Sequence, residues 1–262
     1  GNIIKNDYCV GCGMCAAKFP NQIRMSFDKY GQYKPEIRDE NSIVGVEKVC
    51  PFSNDNLDED VIGSELYKQI DQIKHSNETG YYLDTYVGHV INEDDRLLAT
   101  SGGIISWLAE YMLNNDYVDY IVCVGPSTQG DKQFEYKIIN CLEELAKCKK
   151  SKYYPVEVSS VIPRIREMEG RFLFIGLPCF VKAFRKFTRH DPILKSKVPY
   201  TIGLICGHLK TAKYAEYLAR HCGVNKESIN KVDFRHKVKG NAANNYAFKV
   251  DYVEDNTLKS SQ

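Results

Sequence analysis

Four cysteines constrain this chain more than any other feature of its sequence. Cys9, Cys12 and Cys15 follow the spacing C-x2-C-x2-C, and the only remote Cys-Pro dipeptide is Cys50-Pro51. In bacterial ferredoxins, three such cysteines and a remote Cys-Pro bind one 4Fe-4S cluster, while a fourth local cysteine before proline serves a second cluster. Phe19-Pro20 occupies that local position here. The sequence therefore predicts one 4Fe-4S cluster held by these four cysteines, with the second cluster lost.

Zinc is the main competing metal for these cysteines. Structural zinc sites usually use two separated ligand pairs, whereas three cysteines within seven residues crowd a single small ion. The spacing favours the cluster, and a zinc-stabilised interaction module stays open as an alternative. Residues 1–58 are too short and polar to build a strong core, so we expect the cluster to stabilise a small ferredoxin-like domain there. The alternation at 25–37 predicts a hairpin beside it.

Charge and hydropathy exclude several classes of partner. The 262 residues carry a formal net charge of +1 and no extended basic block, so nucleic acid is not an expected partner. No apolar run approaches the roughly 20 residues that span a bilayer, and the N-terminus lacks a signal-peptide pattern. We therefore expect a cytoplasmic protein without a membrane span. The sequence gives no indication of its oligomeric state.

The ten cysteines raise the question of disulfides. Four are in metal-ligand spacing and most of the others lie in apolar, strand-like runs, so reduced thiols fit better than a secreted disulfide framework. Structural thiols are the simplest interpretation of Cys123, Cys141, Cys148 and Cys222.

The remainder of the chain predicts an α/β fold (α+β overall), with a mainly parallel sheet in a larger domain at 85–262. Apolar β-branched runs alternate there with amphipathic helical patterns. A polar, acidic segment at 59–84 predicts a helical connector to that domain. The predicted strands are 85–91, 120–124, 171–176 and 200–206. The predicted helices are 103–115, 141–150, 158–170, 179–187 and 211–222.

Three loops of the larger domain have residues suited to redox chemistry. Thr100, Ser101, Gly102 and Gly103 precede a helix, so hydroxyls and free N–H groups there suit a phosphate or flavin, although an ordinary helix cap has the same pattern. Cys179 follows a strand and opens a helix, where a thiol is expected to ionise readily. Cys206 follows the next strand in the same way. The repetition suggests a redox site at one edge of the sheet.

Two basic segments are further candidates for binding anions. Lys149, Lys150 and Lys152 lie beside two tyrosines, a combination that pairs with phosphates and stacks on flat rings. The segment at 233–240 places basic residues in a strand and turn. Solvated surface lysines fit both segments equally well. A lone histidine is more often structural than catalytic, so no general acid is assigned to His89, His208 or His236.

Taken in order, CVGCGMC, ATSGG, SKYYPV, GLPC, GLICGH and DFRHKVKG resemble the beta-subunit family of coenzyme F-420 (F420) hydrogenases and dehydrogenases. Each motif is weak singly, but their order and spacing are fairly specific and span nearly the whole chain. Members resemble iron–sulfur flavoproteins, in which a ferredoxin-like part serves an α/β domain that holds FAD and exchanges hydride with a deazaflavin or another substrate. Relatives continue with further cysteines where this chain stops at Gln262, so we expect the larger domain to be truncated.

The resemblance implies roles for individual residues. It implies that Cys9, Cys12, Cys15 and Cys50 hold the cluster. It implies that the flavin is approached by Thr100, Ser101, Gly102 and Gly103 and framed by Ser151, Lys152 and Tyr153. It also implies that Gly176, Pro178 and Cys179 lie against the isoalloxazine or a nearby cluster.

The function expected from the sequence is a flavin-dependent oxidoreductase. Electrons would pass between a 4Fe-4S cluster, FAD, and coenzyme F-420 or another organic acceptor, with Cys179 and Cys206 as the candidate catalytic residues. The expected partner is a redox protein or a small-molecule electron acceptor. The alternative is a non-catalytic electron-relay subunit of a hydrogenase or dehydrogenase complex.

Overall fold

A computed structural model describes residues 2–128, 132–242 and 244–262 of the chain. The α-helices in these ranges are α1 (Asn2–Lys5), α2 (Met14–Lys18), α3 (Glu59–Tyr67), α4 (Glu93–Leu98), α5 (Ile104–Asn114), α6 (Leu142–Lys147), α7 (Val161–Glu167), α8 (Pro178–Thr188), α9 (Pro192–Lys197) and α10 (Ala212–His221). Short 3-10 turns occur at Glu40–Ser42, Val46–Lys48 and Lys226–Ser228.

The strands are short and form several small sheets. They are β1 (Ile23–Phe27), β2 (Tyr33–Ile37), β3 (Lys74–Ser76), β4 (Gly80–Tyr82), β5 (Tyr120–Pro126), β6 (Phe134–Ile139), β7 (Phe172–Gly176), β8 (Tyr200–Gly203), β9 (Ile229–Lys237), β10 (Tyr246–Glu254) and β11 (Thr257–Ser261). The first four strands make two separate hairpins, and the last three form an antiparallel sheet in the order β11-β10-β9.

The central sheet has the strand order β6-β5-β7-β8. Strands β5, β7 and β8 are parallel, whereas β6 runs antiparallel along the edge beside β5. The predicted α/β class is therefore confirmed at the level of a mixed sheet with helices. The antiparallel edge strand β6 was not predicted, although its sequence, FEYKII, alternates apolar and polar residues as a half-buried strand does.

Both faces of the central sheet are covered, which explains why its middle strands are almost continuously apolar. Phe172 and Phe174 point to the face that packs against α7, α8 and the start of the chain. Leu173 and Ile175 point to the opposite face, which packs against α5 and α6. Since side chains alternate along a strand, β7 divides its residues between two apolar clusters and fixes the sheet between two helical layers.

The cysteine-bearing start of the chain packs onto the first of these faces. Met14 and Val49 are fully buried in the same cluster as Phe174 and Phe180. The predicted hairpin is present as β1 and β2, which pair antiparallel. The segment therefore draws its burial from the central sheet as well as from its own residues. Its description as a ferredoxin-like domain stays a prediction.

Two expectations about the elements are wrong. No strand forms at 85–91, where the described backbone is irregular and Tyr86 and Val87 are exposed to solvent. The apolar residues of TYVGHVI made that run resemble a strand, but no neighbouring strand pairs with it. On α5, the helical spacing of Trp107, Leu108, Tyr111 and Met112 predicts a stripe that faces the core, but Trp107 and Tyr111 are exposed and stack on each other.

The connector at 59–84 differs in part from the predicted helix. It begins with α3, capped by the Asp58 carboxylate accepting from the Val61 N–H at 2.9 Å, and continues as the β3–β4 hairpin. In the described part of the chain, no helix is long and apolar enough to cross a bilayer.

Candidate functional site

The loop that carries Cys9, Cys12 and Cys15 is shaped by two glycines. Gly11 and Gly13 have φ values of +68° and +84°, in the left-handed region that favours glycine. A Cβ at Gly11 would lie 2.4 Å from the Tyr33 carbonyl oxygen, and one at Gly13 would lie 2.4 Å from Glu157 Oε2. The backbone of this loop therefore approaches both β2 and the segment before α7 more closely than any other residue would allow.

A backbone hydrogen bond fixes the same loop to the larger domain. The Val158 N–H donates to the Cys12 carbonyl oxygen at 3.0 Å, and Val158 is itself fully buried. Helix α2 begins directly after Gly13 and buries Met14. Cys12 and Cys15 thus lie on either side of a rigid junction between a strained turn and a short helix.

Cys50 lies in a turn held by its own neighbours. Ser53 Oγ donates to the carbonyl oxygens of Glu47, at 2.7 Å, and Cys50, at 2.9 Å. Backbone N–H groups of Phe52 and Ser53 donate to the Cys50 thiol. Donors of this kind stabilise a thiolate, and they are also what adjusts the potential of a thiolate-bound cluster.

The fold places the remote Cys50 close enough to Cys9, Cys12 and Cys15 for the four thiols to interact electrostatically. Burial raises the pKa of the Cys12 thiol well above its usual value, and the charges of Cys15, Cys50 and Cys9 raise it further. Burial, followed by the neighbouring Cys9, raises the pKa of Cys15 to about 12. Four clustered thiolates are therefore unfavourable without positive charge among them, and iron or zinc ions would supply that charge.

The donor set fits a thiolate-bound metal group. Soft thiolate ligands select Fe–S clusters, zinc or copper(I), and backbone N–H groups donate to three of the thiols, Cys12, Cys15 and Cys50. Within the described ranges, no group of three or more His, Cys, Asp or Glu side chains is arranged to hold a single metal ion.

The second candidate region is the edge of the central sheet after β7 and β8. Strand β7 ends at Gly176, and α8 begins at Pro178 with Cys179 in its first turn. Strand β8 ends at Gly203, earlier than predicted, so Cys206 lies in an exposed loop. Burial raises the pKa of the Cys179 thiol, and the neighbouring Cys206 raises it further. The two cysteines are therefore brought together, but Cys179 is less readily ionised than its place at a helix start suggested.

The buried phenol of Tyr136 is near thiols of both this edge and the cysteine loop. Tyr136 on β6 is buried, and its ring stacks on Phe174 and Phe180. Burial raises the pKa of the phenol, and Cys123, Cys179 and Cys12 raise it further. Tyr136 thus lies within electrostatic range of thiols from both candidate regions. Nothing in the residues around Tyr136 singles it out, because they indicate only an ordinary strand.

Lysine side chains also join the loops that are predicted to bind the flavin. Gly103 caps α5 in the left-handed conformation at φ +86°, and the Gly102 carbonyl accepts from the Val90 N–H at 2.8 Å. Lys237 Nζ donates to the Ser101 carbonyl at 2.7 Å. The turn that contains Thr100 is therefore tied to β9, within the basic segment at 233–240.

The neighbouring loop at 149–153 has matching ties. Lys149 Nζ lies 2.9 Å from Glu110 on α5 and 3.4 Å from Asp95 on α4, and Lys150 Nζ lies 2.6 Å from Asp233 on β9. Three segments that are far apart in sequence thus meet through these lysine contacts. Within this loop, Ser151, Lys152 and Tyr153 are the residues that the resemblance places around the flavin.

Lys152 and its neighbours take different positions. Lys152 Nζ donates to the Cys148 carbonyl, and to the carbonyls of Lys149 at 2.6 Å and Lys150 at 2.7 Å. Burial lowers the pKa of this ammonium to about 8. Lys152 therefore holds the turn after α6, while Tyr153 packs edge-on against Phe234. Ser151 is half-buried.

A cavity of about 480 Å³ lies beside these loops. Its size is within the range of small-molecule sites. The apolar wall comes mainly from the irregular segment at 88–91 and from α5, including Ile104 and Trp107, and the polar groups include Glu110 and Lys149. Among the residues predicted to bind the flavin, Gly103 lines this cavity. The wall at 88–91 was not predicted because that run resembled a strand.

Similar proteins are found for most of the chain. Residues 85–163 match the family described as coenzyme F420 hydrogenase/dehydrogenase, beta subunit N-term, and residues 169–260 match the corresponding C terminus. No curated protein matches the chain. A solved chain from the F420-reducing NiFe hydrogenase complex of Methanosarcina barkeri is 21% identical with a TM-score of 0.45. That alignment covers 68% of this chain and 62% of the other, so the chain spans less than two thirds of its length.

The two matched segments follow one another in the order of the family and together span more than half of the chain. They include the loops that converge on the lysine contacts and the edge that carries Cys179 and Cys206. The protein belongs to the coenzyme F420 hydrogenase/dehydrogenase beta subunit family, a family of oxidoreductase subunits.

Proposed function

We propose that the protein is an iron–sulfur flavoprotein that passes electrons between a 4Fe-4S cluster, FAD, and either coenzyme F420 or another organic acceptor. The observation that carries the proposal is the grouping of four interacting thiols from Cys9, Cys12, Cys15 and Cys50 on loops that pack against the central sheet. Membership of the family supports the redox role, because the family description names hydrogenases and dehydrogenases.

The cysteine loop would hold the cluster through its three thiolates together with that of Cys50. Gly11 and Gly13 let the loop approach β2 and Glu157, and backbone N–H groups already donate to thiols that would be thiolates in the loaded protein. A bound cluster supplies one-electron chemistry. The chain itself positions the ligands, excludes water through Met14 and Val49, and donates hydrogen bonds to sulfur.

The flavin would bind near the convergent loops. Thr100, Ser101, Gly102 and Gly103 precede α5, and the cavity beside Gly103 has an exposed aromatic ring, Trp107, on its wall. Ser151, Lys152 and Tyr153 would frame the site by holding the turn after α6. Gly176, Pro178 and Cys179 would bound it at the edge of the sheet, together with Cys206. A bound flavin exchanges hydride on one side and single electrons on the other.

A second candidate function is an electron-relay subunit without its own substrate. The description of the family as a beta subunit favours a partner protein, and exposed apolar side chains at Tyr86, Val87 and Ile91 leave surface available for one. In that case the cluster would accept electrons from the partner, and flavin would bind weakly or not at all.

Anaerobic purification with an absorbance spectrum and joint quantification of iron, acid-labile sulfide and flavin tests both functions. Four iron and four sulfide per chain together with reducible flavin bands are expected for the enzyme. A broad band near 400 nm without flavin would support the relay. Zinc without sulfide in colourless protein would overturn both and leave a zinc-stabilised module.

The same material tests the edge cysteines. Cys179→Ser and Cys206→Ser are expected to keep iron, sulfide and flavin while slowing the reduction of flavin by the electron donor. Unchanged reduction rates in both variants would remove these two cysteines from the site.

A further inference from the structure

The side chain of Lys186 on α8 is completely enclosed. Its exposure is 0%, and Nζ lies 2.6 Å from each carboxylate oxygen of Asp55 and 2.9 Å from Ser53 Oγ. A charged lysine is almost never fully buried unless it is paired. These contacts join the third turn of α8 to the loop that follows Cys50.

A simple structural tie does not require a buried charge at this position. Buried ion pairs give little net stability, because desolvation offsets their attraction, and well-packed apolar residues often serve as well. The same face of α8 already contacts this part of the chain through Lys182 with Glu59 and Arg189 with Glu65. Those two pairs keep part of their side chains in solvent, so they join the segments without the cost of enclosing a charge.

Hydrogen bonds connect Lys186, through Ser53, to the backbone of the candidate cluster ligand Cys50. Ser53 Oγ accepts from Lys186 Nζ and donates to the carbonyl oxygen of Cys50 at 2.9 Å. The Lys186 ammonium therefore lies two hydrogen bonds from the backbone of the Cys50 turn.

Charge near a cluster affects its reduction. One-electron reduction adds a negative charge to the cluster, and a buried cation stabilises that charge more than an exposed one, because solvent does not screen it. The carboxylate of Asp55 has the opposite effect. The buried ammonium of Lys186 therefore favours the reduced cluster, and the Asp55 carboxylate opposes it.

We propose that Lys186 is a positioning residue for the cluster, which orders the Cys50 turn through Ser53 and raises the reduction potential of the bound cluster. The inference rests on the proposed function. Helix α8 also carries Cys179 in its first turn, about 10 Å along the helix from Lys186 at 1.5 Å per residue. One rigid element thus joins the candidate flavin edge to the residue that adjusts the cluster.

Redox titration of anaerobically purified full-length protein tests the proposal. Lys186→Met is expected to keep iron and sulfide near wild-type content and to lower the equilibrium constant for cluster reduction about tenfold, a shift of about 59 mV for one electron. Lys186→Arg should restore most of the wild-type potential. Lys182→Met is the matched control on the same helix, and its potential should equal that of the wild type.

Asp55→Asn separates an electrostatic role from a structural one. It removes the negative charge and leaves the cation, so the reduction potential should rise, opposite in sign to Lys186→Met. A purely structural pair would shift both variants in the same direction or neither. If Lys186→Met fails to fold, the sign of the Asp55→Asn shift decides alone, and an unchanged or lowered potential overturns the proposal. Wild-type protein without iron and sulfide would instead overturn the proposed function.

Discussion

The cysteine loop and the flavin-side loops are held in place by different forces. The cysteine loop is fixed by buried apolar contacts of Met14 and Val49 and by close backbone approaches at Gly11 and Gly13. The flavin-side loops are fixed largely by lysine contacts, such as Lys149 with Glu110 and Lys237 with the Ser101 carbonyl. The cysteine loop should therefore be less sensitive to salt than the flavin-side loops.

Apolar packing on one side and lysine contacts on the other suit two different kinds of cofactor. A metal cluster bound by four thiolates needs its ligands fixed to within a few tenths of an ångström, which tight packing supplies. A flavin is larger and is bound through many weaker contacts, so its loops gain from adjustable polar side chains. The tests below are ordered by the size of the expected effect.

Replacing Cys50 should have the largest effect. Cys50→Ser removes the remote thiolate, and we expect the loss of most iron and sulfide together with local unfolding of the first 58 residues, because binding energy of the cluster is also folding energy there. Iron and sulfide assays with circular dichroism measure both. Cys141→Ser is the matched control, since Cys141 is exposed at the start of α6 and should keep full iron content. A complete cluster in Cys50→Ser would refute the ligand assignment.

The elements of the central sheet were predictable because their sequences leave few alternatives. The runs that became β5, β7 and β8 are apolar and β-branched or aromatic, and each predicted amphipathic helix forms within a few residues of its expected bounds. The exception at 85–91 has similar composition without a partner strand. Pairing depends on the rest of the fold, so composition alone could not distinguish it.

The candidate site likewise has a part that could be predicted from the sequence and a part that could not. The cysteine spacing selected residues whose thiols the structure brings together, because ligand spacing is a local property of the chain. Tyr136 and Lys186 were missed because their importance comes from contacts with residues about 40 to 130 positions away. Lys237 lies in the basic segment at 233–240 that the sequence selects, but its contact with the Ser101 carbonyl was not predicted. The roles of the residues expected around the flavin, and of Cys179 and Cys206, stay predictions.

Adding a methyl group to the cysteine loop is the next largest change. Gly13→Ala would force a left-handed alanine and place Cβ 2.4 Å from Glu157 Oε2 and 3.0 Å from the Val158 nitrogen. Strain and overpacking together should lower the free energy of unfolding by roughly 3 kcal/mol. Urea denaturation measures this, and Gly203→Ala, which meets no atom within 4 Å, should cost less. Equal losses would contradict the close approach.

Lys152 should give the flavin-side region its own pH dependence. The unfolded chain keeps this proton up to about pH 10.5, whereas burial lowers the pKa of the folded ammonium to about 8. The unfolded state therefore binds more protons between these values, and stability should rise with pH by up to about 2 kcal/mol relative to Lys152→Met. Urea denaturation of both proteins at pH 7 and pH 10 measures the difference. A constant difference would show that the folded ammonium keeps an ordinary pKa.

The smallest effect is expected at the ion pairs of Lys149. Its ammonium joins α4 and α5 to the loop beside the cavity, and partly exposed pairs of this kind contribute below about 1 kcal/mol. Lys149→Met should therefore barely change stability but should weaken flavin binding, most clearly at low salt, where such pairs are least screened. Flavin fluorescence titrations at two ionic strengths measure this. Lys147→Met, which breaks exposed pairs on α6, is the matched control and should bind flavin normally at both. If high salt weakens wild-type binding no more than it weakens binding by Lys149→Met, ion pairs do not hold the flavin-side loops, and the contrast with the tightly packed cysteine loop fails.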